Sequence, residues 1–272
     1  MNRWPVLLAA VALGTAGTAA ASGPAASEHG GPSRYYGVAY FPVFCNFSHR
    51  NQDDPIVFPN HPGRSHDHTF FGNTSTNARS TVGSLRQAGT TCRVTADRAA
   101  YWAPTLFVAG KPVEPAQMVA YYVRRTHEPV RAFPRGLKMI AGNAAARSPQ
   151  SLRIVSWSCG REVSSSIPSC DSFGFRRATL RLQVNFPSCW DGVHLDSADH
   201  KSHMAYATSG VCPSSHPVAV PGLTLVIAYP VTGGANAELA SGGQLSGHAD
   251  FVNAWDQETL SALVDRYLNR FR

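Results

Sequence analysis

The sequence lacks an uninterrupted apolar run long enough to cross a membrane. Its first apolar run covers only residues 6–13, and no later stretch approaches the roughly 20 residues that a membrane-spanning helix needs. Charged residues are also sparse, at 15% of the chain against 43% apolar residues, which is a balance found in globular proteins. These properties predict a protein without a membrane span and with one substantial core.

Several catalytic and binding motifs are missing as well. The sequence has no G-x-S-x-G nucleophile elbow, no H-E-x-x-H zinc motif and no phosphate-cradling glycine-rich loop before a helix. No C-x-x-C spacing occurs, so neither a zinc ribbon nor a thioredoxin-like redox pair is expected. The formal net charge is +7, but the arginines that cause this surplus are scattered along the chain and do not alternate with aromatic residues in one segment. This distribution predicts no nucleic-acid partner, only a mild attraction to anionic polymers.

The N-terminal segment has the pattern of an export signal. Arg3 precedes the apolar run, and three consecutive alanines follow it at a position that suits signal-peptidase cleavage. We therefore expect residues 1–21 to be a signal peptide. Residues 22–34 are rich in Gly, Pro, Ala and Ser, and this composition predicts a flexible leader because it buries little apolar surface. Residues 35–272 would then be a single globular domain of an extracellular protein.

Six cysteines remain after the expected cleavage. Export brings them to an oxidising compartment in which thiols pair, so three disulfides are expected. Six cysteines allow about 15 connectivities, and short loops favour pairing between neighbours along the chain. The expected pairs are Cys45 with Cys92, Cys159 with Cys170, and Cys189 with Cys212.

Short apolar or alternating runs, separated by Pro, Gly and Asn, fill the chain from residue 35 onwards. Their lengths and their content of β-branched and aromatic residues are typical of strands. In "TLRLQVNF", Leu180, Leu182 and Val184 alternate with polar residues, which predicts one buried and one solvated face. The predicted fold class is mainly β, a single sandwich-like domain with long loops.

Helix signals are nearly absent before the C-terminal segment. There, Asp256 is a candidate N-cap and Glu258 lies in the first turn. The apolar residues that follow at helical spacing are Leu260, Leu263, Val264, Tyr267, Leu268 and Phe271. This pattern predicts one C-terminal amphipathic helix that packs against a sheet.

The 11 histidines of the sequence include several that could bind a metal ion. If "SHDHTFF" enters a strand, His66 and His68 point to the same face. His200 and His203 lie three residues apart, which would place them on one side of a helical turn. His248, in "GHADF", completes the candidate ligand set. Imidazoles mixed with carboxylates suit zinc, iron, manganese or copper, and the mixture does not select one of them.

The same residues also have a purely structural interpretation. In a loop-rich β protein, His and Asp side chains commonly bond the backbone groups that irregular chain leaves unpaired. The spacing of the candidates matches no closed zinc site. The sequence therefore leaves open both a divalent metal site and a set of side chains that brace loops.

The aspartates of these phrases offer acid–base chemistry without a metal. Cleavage of a glycosidic bond needs two carboxyl groups, one as acid and one as base or nucleophile. The aspartates are Asp54, Asp191, Asp196, Asp199 and Asp250, of which all but Asp191 are the candidate catalytic residues. Aromatic residues that could stack on sugar rings are Trp102, Trp157, Trp190, Trp255, Tyr101, Tyr121, Tyr122 and Tyr206. Aromatic residues at this frequency mostly fill cores, so this stacking role stays open.

Six phrases resemble, in chain order, the signature of a family of secreted fungal and bacterial proteins known as domain of unknown function nineteen-ninety-six. They are "DDPIVFPNHPGRSHDHTFFGN", "YWAPTLF", "AFPRGLKMIAG", "NFPSCWDGVHLDSADHKSHMAY", "GVCPSSHPVAVPGL" and "GHADFVNAWD". The resemblance covers residues 36–255. The family's pattern falls on Asp54, Pro55, His66, His68, Phe71, Gly72, Asp191, Gly192, Asp196, Ser197, Asp199, His200, Ser202, His203, Met204, His216, Pro217, His248, Asp250 and Phe251.

The resemblance implies an exported protein, and sugar-binding modules in some family members connect the family with cell walls or polysaccharide. The predicted function is action on cell-wall or extracellular polysaccharide through a His- and Asp-rich site, with a divalent metal that activates water. A polysaccharide hydrolase is one form of this prediction. The alternative is a non-catalytic wall-associated or carbohydrate-binding protein in which the same residues are structural.

Overall fold

Seventeen strands dominate the structure, a computed structural model that describes residues 38–170 and 179–270. The strands are β1 (Tyr40–Cys45), β2 (Phe47–Asn51), β3 (His68–Gly72), β4 (Ala100–Pro104), β5 (Leu106–Val108), β6 (Lys111–Pro112), β7 (Gln117–Val123), β8 (Lys138–Gly142), β9 (Val155–Ser158), β10 (Val163–Ser164), β11 (Leu180–Asn185), β12 (Cys189–Trp190), β13 (Met204–Ala205), β14 (Val218–Ala219), β15 (Gly222–Tyr229), β16 (Ala237–Leu239) and β17 (His248–Val252). The helices are α1 (Val82–Gln87) and α2 (Gln257–Val264), and α2 continues into a π-helical turn, Asp265–Asn269.

Two antiparallel sheets contain most of these strands. The six-stranded sheet has the order β1-β7-β15-β11-β9-β10, and the five-stranded sheet has the order β2-β3-β4-β17-β8. Two three-stranded sheets, β13-β12-β14 and β16-β5-β6, complete the structure. The predicted mainly β class is therefore confirmed.

The main core lies between the two large sheets. Val43 and Leu182 of the six-stranded sheet share one apolar cluster with Tyr101 and Phe251 of the five-stranded sheet. Alternation along β11 is as predicted, because Leu180, Leu182 and Val184 are buried in that cluster while Arg181 is exposed. Face-to-face packing of this kind is the arrangement of a β-sandwich.

The five-stranded sheet is also covered on its outer face. Phe70, Trp102 and Val252 point away from the main core and pack with Ile56 and with Leu85 of α1 in a second apolar cluster. The loop between β2 and β3, residues 52–67, supplies Ile56 and so covers part of this face. Polar side chains that share this face are therefore removed from bulk water.

The expected disulfides are confirmed. They join Cys45 to Cys92, Cys159 to Cys170, and Cys189 to Cys212. Among the described residues, no helix is long and apolar enough to cross a membrane. The three disulfides fit an extracellular protein. The expected signal peptide and leader lie outside the described residues.

The predicted C-terminal helix is confirmed, and it begins directly after the predicted N-cap, Asp256. The Asp256 side chain accepts a hydrogen bond from the backbone N–H of Thr259 at 3.0 Å, as an N-cap does. Of the predicted apolar stripe, Leu260, Val264, Tyr267 and Leu268 are buried, Leu263 packs at the edge of the core, and Phe271 lies outside the described residues. Sequence patterns did not predict α1, a six-residue helix that begins with a reciprocal Thr81–Ser84 capping box.

A glycine at the end of β8 holds the chain close to β17. Gly142 has a φ of +84° and faces His248, and a Cβ there would lie 2.5 Å from the Gly247 carbonyl oxygen. We expect Gly142→Ala to lower the free energy of unfolding by about 3 kcal/mol, from backbone strain and overpacking together. The matched control is Gly110→Ala, where φ is +73° but no atom lies within 4 Å of the added Cβ. Chemical denaturation that gave equal losses in the two variants would contradict the steric part of this account.

Candidate metal centre

Three histidines converge on the outer face of the five-stranded sheet. His66 comes from the covering loop, His68 opens β3, and His248 opens β17. Their ring centroids lie 4.2 Å (His66 to His68), 5.0 Å (His66 to His248) and 5.8 Å (His68 to His248) apart. One ligand nitrogen from each imidazole lies within 4.8 Å of the other two. We call this set the histidine cluster.

Strand order brings the two strand histidines together. β4 runs between β3 and β17, so the backbones of His68 and His248 are about two inter-strand spacings apart, roughly 10 Å. Period-2 alternation puts both side chains on the face opposite the main core, where the rings reach across β4. His248 and Asp250 share that face because they are two residues apart on β17.

Backbone carbonyls orient both buried imidazoles. The Nδ1 of His68 lies 3.0 Å from the Asp53 carbonyl oxygen, and the Nδ1 of His248 lies 2.9 Å from the Ser246 carbonyl oxygen. A carbonyl oxygen only accepts hydrogen bonds, so each Nδ1 carries the hydrogen and each Nε2 of the neutral ring keeps its lone pair. The Nε2 of His68 is buried and has no hydrogen-bond partner among the described residues. This arrangement is the one that metal-binding imidazoles adopt.

The ε nitrogens of His66 and His248 are 3.2 Å apart. Two lone pairs at this distance would repel each other. Either the Nε2 of His66 carries a hydrogen that it donates to His248, or a cation lies against both nitrogens. His66 is the partly exposed member of the cluster, so it lies at the entrance from solvent.

Burial keeps the cluster uncharged. It lowers the pKa of His66, lowers the pKa of His68 well below its usual range, and lowers that of His248 to about 3. The imidazoles are therefore neutral near pH 7. Neutral imidazole is the form that coordinates a metal ion.

Two buried carboxyl groups adjoin the cluster. Ligand atoms of Asp54, His68 and Asp250 lie within 4.8 Å of one another. Asp54 Oδ1 accepts hydrogen bonds from the backbone N–H groups of Ile56 at 2.8 Å and Val57 at 2.9 Å. Burial raises the pKa of Asp54, and burial together with the nearby Asp54 raises the pKa of Asp250 well above its usual range.

Asp250 contributes the second unpaired polar atom of the site. Its Oδ2 is buried without a hydrogen-bond partner among the described residues and lies 3.9 Å from His248 Nε2, too far for a hydrogen bond. Buried polar atoms are normally bonded, so each exception needs an explanation. Two lone-pair atoms of the site, His68 Nε2 and Asp250 Oδ2, are exceptions of this kind among the described residues, and the Nε1–H donor of Trp102 on the same face is a third.

The other candidates belong to a separate network in the loop at residues 191–203. Asp196 bonds Nδ1 of His200 at 2.8 Å and Nζ of Lys138 at 3.0 Å. His203 has both ring nitrogens engaged, Nδ1 with Ser197 Oγ at 2.9 Å and Nε2 with the Lys138 carbonyl at 2.7 Å. These contacts fasten the loop to β8.

Asp199 also stabilises this loop. Its Oδ1 accepts hydrogen bonds from the backbone N–H groups of Lys201 at 3.0 Å and Ser202 at 2.8 Å, and from Ser197 Oγ at 2.8 Å. The predicted helical turn at His200 is wrong, because His200 has a φ of +58° in a tight turn. The structure thus brings Asp54, His66, His68, His248 and Asp250 together. Asp196, Asp199 and His203 are bonded within their own loop and to β8, whereas His200, bonded to Asp196, lies close enough to Asp54 to act electrostatically on that carboxyl group.

A cavity of about 290 Å³ lies at the end of β8. Gly142, which faces His248, lines it together with Gln150, Lys201 and Tyr206. Lys201 Nζ donates to the Gly142 carbonyl at 2.6 Å, which holds the ammonium group at the rim. A second cavity of about 600 Å³ lies over the loop at residues 191–203.

Most of the aromatic residues considered for sugar stacking are in the core. Trp102, Trp157, Trp255, Tyr101 and Tyr122 are fully buried, so that expectation is wrong for them. The partly or largely exposed members are Trp190, Tyr121 and Tyr206.

Sequence patterns did not indicate Lys201 or the carbonyls of Asp53 and Ser246. A carbonyl is present at every residue, so nothing in the sequence marks the two that orient the imidazoles. Lys201 carried a usable signal, because it lies between two candidate histidines in "DHKSHMAY".

The fold and the site define a disulfide-linked, mainly β protein with a buried cluster of histidines and carboxyl groups. The chain belongs to the family described as Domain of unknown function (DUF1996), whose profile matches residues 54–255. That match contains every residue of the cluster. No curated protein and no solved structure matches the chain.

Proposed function

We propose that this protein is an extracellular, metal-dependent hydrolase that acts on polysaccharide. The observation that carries the proposal is the convergence of three neutral imidazoles in the histidine cluster, two of them held by backbone carbonyls. Imidazole ligands suit zinc, copper, iron or nickel more than calcium or magnesium. His66, His68 and His248 would hold the ion.

A metal held by three imidazoles and open to solvent polarises substrate and activates water. The protein's own part is to position these groups and to move a proton. Asp250 is the candidate acid–base group, because its Oδ2 is buried, unpaired among the described residues and 3.9 Å from His248 Nε2. Asp54, fixed by two backbone N–H groups, is the second carboxyl group.

The substrate class rests on the surroundings of the site and on the family resemblance. The cavity of about 290 Å³ at the end of β8 is lined by Gln150, Lys201 and Tyr206. Each of them donates at least one hydrogen bond to a backbone carbonyl, and the oxygens of Gln150 and Tyr206 keep lone pairs that can accept. Such groups exchange hydrogen bonds with sugar hydroxyls, and Tyr206, 41% exposed, can pack on a sugar ring.

The alternative function is a non-catalytic wall-associated or carbohydrate-binding protein in which the His and Asp residues are structural. The loop at residues 191–203 supports it for Asp196, Asp199 and His203, whose polar atoms bond the loop itself. The cluster is different, because His68 Nε2 and Asp250 Oδ2 have no hydrogen bond to satisfy them among the described residues. A purely structural role leaves these two atoms unexplained.

We expect Asp250→Asn to lower the rate of polysaccharide hydrolysis by about 10²- to 10⁴-fold while metal binding persists, because an amide can neither release nor take up the proton. The measurement is release of reducing ends from a panel of neutral and acidic polysaccharides by the full-length mature protein loaded with zinc, copper or manganese.

The matched control is Asp199→Asn, which makes the same change from carboxyl to amide in a side chain that braces the loop at residues 191–203. It should retain the hydrolysis rate and lose stability. Absence of products from every polysaccharide with every metal would favour the non-catalytic alternative, and equal rates for Asp250→Asn and the wild type would remove Asp250 from the mechanism.

A further inference from the structure

The outer face of the six-stranded sheet carries a second organised set of side chains. Alternation sends one set of residues into the main core and the other set outwards. We call the outward set the tyrosine–arginine face, and its central members are Phe44, Tyr121, Arg181, Gln183, Thr224 and Val226. Val226 is only partly buried and belongs to neither apolar cluster of the described residues.

The strand pairing makes this face regular. Thr224 of β15 lies opposite Tyr121 of β7 and Asn185 of β11. Gln183 lies opposite Val226 and Ser156 in the next row. From β1 to β9 the face spans four inter-strand spacings, roughly 19 Å, which is long enough for several units of an extended polymer.

The charges of this face have one sign. Arg181 is exposed on β11, and Arg125, just beyond β7, donates to Thr224 Oγ1 at 3.0 Å and to Asn185 Oδ1 at 3.3 Å. Arg93 lies over the Phe44 ring at 5.0 Å. None of the ion pairs found among the described residues includes these guanidinium groups. None of the outward residues of the six strands is acidic.

Aromatic and neutral polar groups accompany the arginines. Tyr40 and Tyr121 meet edge to face with ring centroids 5.8 Å apart. Gln183 and Ser158 offer an amide and a hydroxyl group that can both donate and accept hydrogen bonds. The buried Thr224 hydroxyl is instead engaged with Arg125 and Asn185.

We infer that the tyrosine–arginine face binds an acidic polysaccharide, a chain that carries uronate carboxylates. Guanidinium groups pair with carboxylates through two parallel hydrogen bonds. A sugar chain also supplies hydroxyl groups that donate and accept, which matches the amide and hydroxyl groups between the arginines. A phosphodiester backbone offers acceptors alone and would leave the accepting oxygens of this face unmatched.

This inference goes beyond the proposed function and does not rest on it. The histidine cluster lies on the outer face of the other sheet, so the main core separates the two surfaces. Glycan binding on the tyrosine–arginine face therefore requires no metal, and His68→Ala should leave it unchanged.

The test is isothermal titration calorimetry of the full mature protein with polygalacturonate in low and moderate salt. We expect Arg181→Ala to weaken binding about 10-fold, the loss that one charge-assisted hydrogen bond commonly causes. We also expect binding to weaken with added salt, because exposed ionic contacts are screened. Arg79→Ala, an exposed arginine in the loop before α1, is the matched control and should bind as the wild type does.

Four results would overturn the inference. They are absence of binding to polygalacturonate, equal affinity for a neutral glucan, tighter binding to single-stranded DNA of equal charge, and an equal loss in Arg79→Ala and Arg181→Ala. A fifth contradicting result would come from sedimentation analysis, if the wild type formed a dimer and Arg181→Ala were a monomer. A second copy of the chain would then occupy this face.

Discussion

Replacement of His68 with Ala is expected to lower the affinity for zinc at least about 100-fold, because loss of a group that merely orients a ligand already costs 10- to 100-fold. The chain should still fold. Removal of the His68 side chain without metal deletes a polar atom, Nε2, that is unsatisfied among the described residues, but it also takes the imidazole partner from the Asp53 carbonyl, so we expect a loss of about 1–3 kcal/mol of unfolding free energy with the fold retained. Competition with a chromophoric chelator measures the affinity, and circular dichroism checks the fold.

His203→Ala is the matched control. Both ring nitrogens of His203 are bonded, to Ser197 Oγ and to the Lys138 carbonyl, and the side chain is buried. We expect the variant to keep its zinc affinity and to lose about 1–3 kcal/mol of unfolding free energy, because the Lys138 carbonyl loses its partner. The reverse pattern, with metal affinity lost in His203→Ala and kept in His68→Ala, would contradict the assignment of the two histidines.

Asp97→Asn is expected to remove a large pH dependence of stability. Asp97 is fully buried in the main core, where Tyr101 Oη donates to its Oδ2 at 2.7 Å and the Ala99 N–H donates to its Oδ1 at 3.0 Å. Burial raises the pKa of Asp97 from 3.8 to about 7. The sulfurs of Cys45 and Cys92 lie nearby but are bonded to each other, so this group is not a ligand set.

The direction of this pH dependence follows from the protons that Asp97 binds in the folded and unfolded states. Between pH 3.8 and about 7, Asp97 keeps its proton in the folded protein and has lost it in the unfolded chain. Unfolding then releases a proton, so the free energy of unfolding falls as the pH rises through this window. The stabilisation that comes from the raised pKa of Asp97 is fully present below pH 3.8 and is lost above about pH 7. A pKa shift of this size corresponds to about 4 kcal/mol of unfolding free energy.

The asparagine variant stays neutral at every pH. Its unfolding free energy relative to the wild type should therefore increase by about 4 kcal/mol between pH 4 and pH 8. Urea denaturation of both proteins at several pH values measures this difference. The titration of all other groups affects the two proteins equally and therefore cancels in the difference. Asp265→Asn, at an exposed position, should show no such change. A constant difference between Asp97→Asn and the wild type would contradict the raised pKa.

Short sequence patterns predicted the structural features that depend only on residues close together in the chain. Alternation identified the buried side of β11, and the N-cap at Asp256 fixed the start of α2, because both follow from backbone geometry over a few residues. Asn185 departs from the alternation rule in being buried. Its amide donates to the Arg153 carbonyl and its oxygen accepts from Thr224, and these partners are distant in sequence.

The site depends on strand order, which short patterns do not encode. "SHDH" predicted that His66 and His68 share a face within a strand, but β3 begins at His68, and His66 approaches from the covering loop. The meeting of His68 with His248 requires β4 to lie between their strands. His200 and His203 had a comparable sequence signal, but in the structure His200 bonds Asp196 and His203 bonds Ser197 and the Lys138 carbonyl.

The central claim is that His66, His68 and His248 together bind one metal ion. Elemental analysis by inductively coupled plasma mass spectrometry, on the purified mature protein after dialysis against a weak chelator and again after a strong one, tests it most directly. The account predicts close to one transition-metal ion per chain after the first dialysis, lost after the second together with thermal stability. Protein that carries no metal after the first dialysis, takes up none when zinc or copper is added, and unfolds at the same temperature throughout would contradict it.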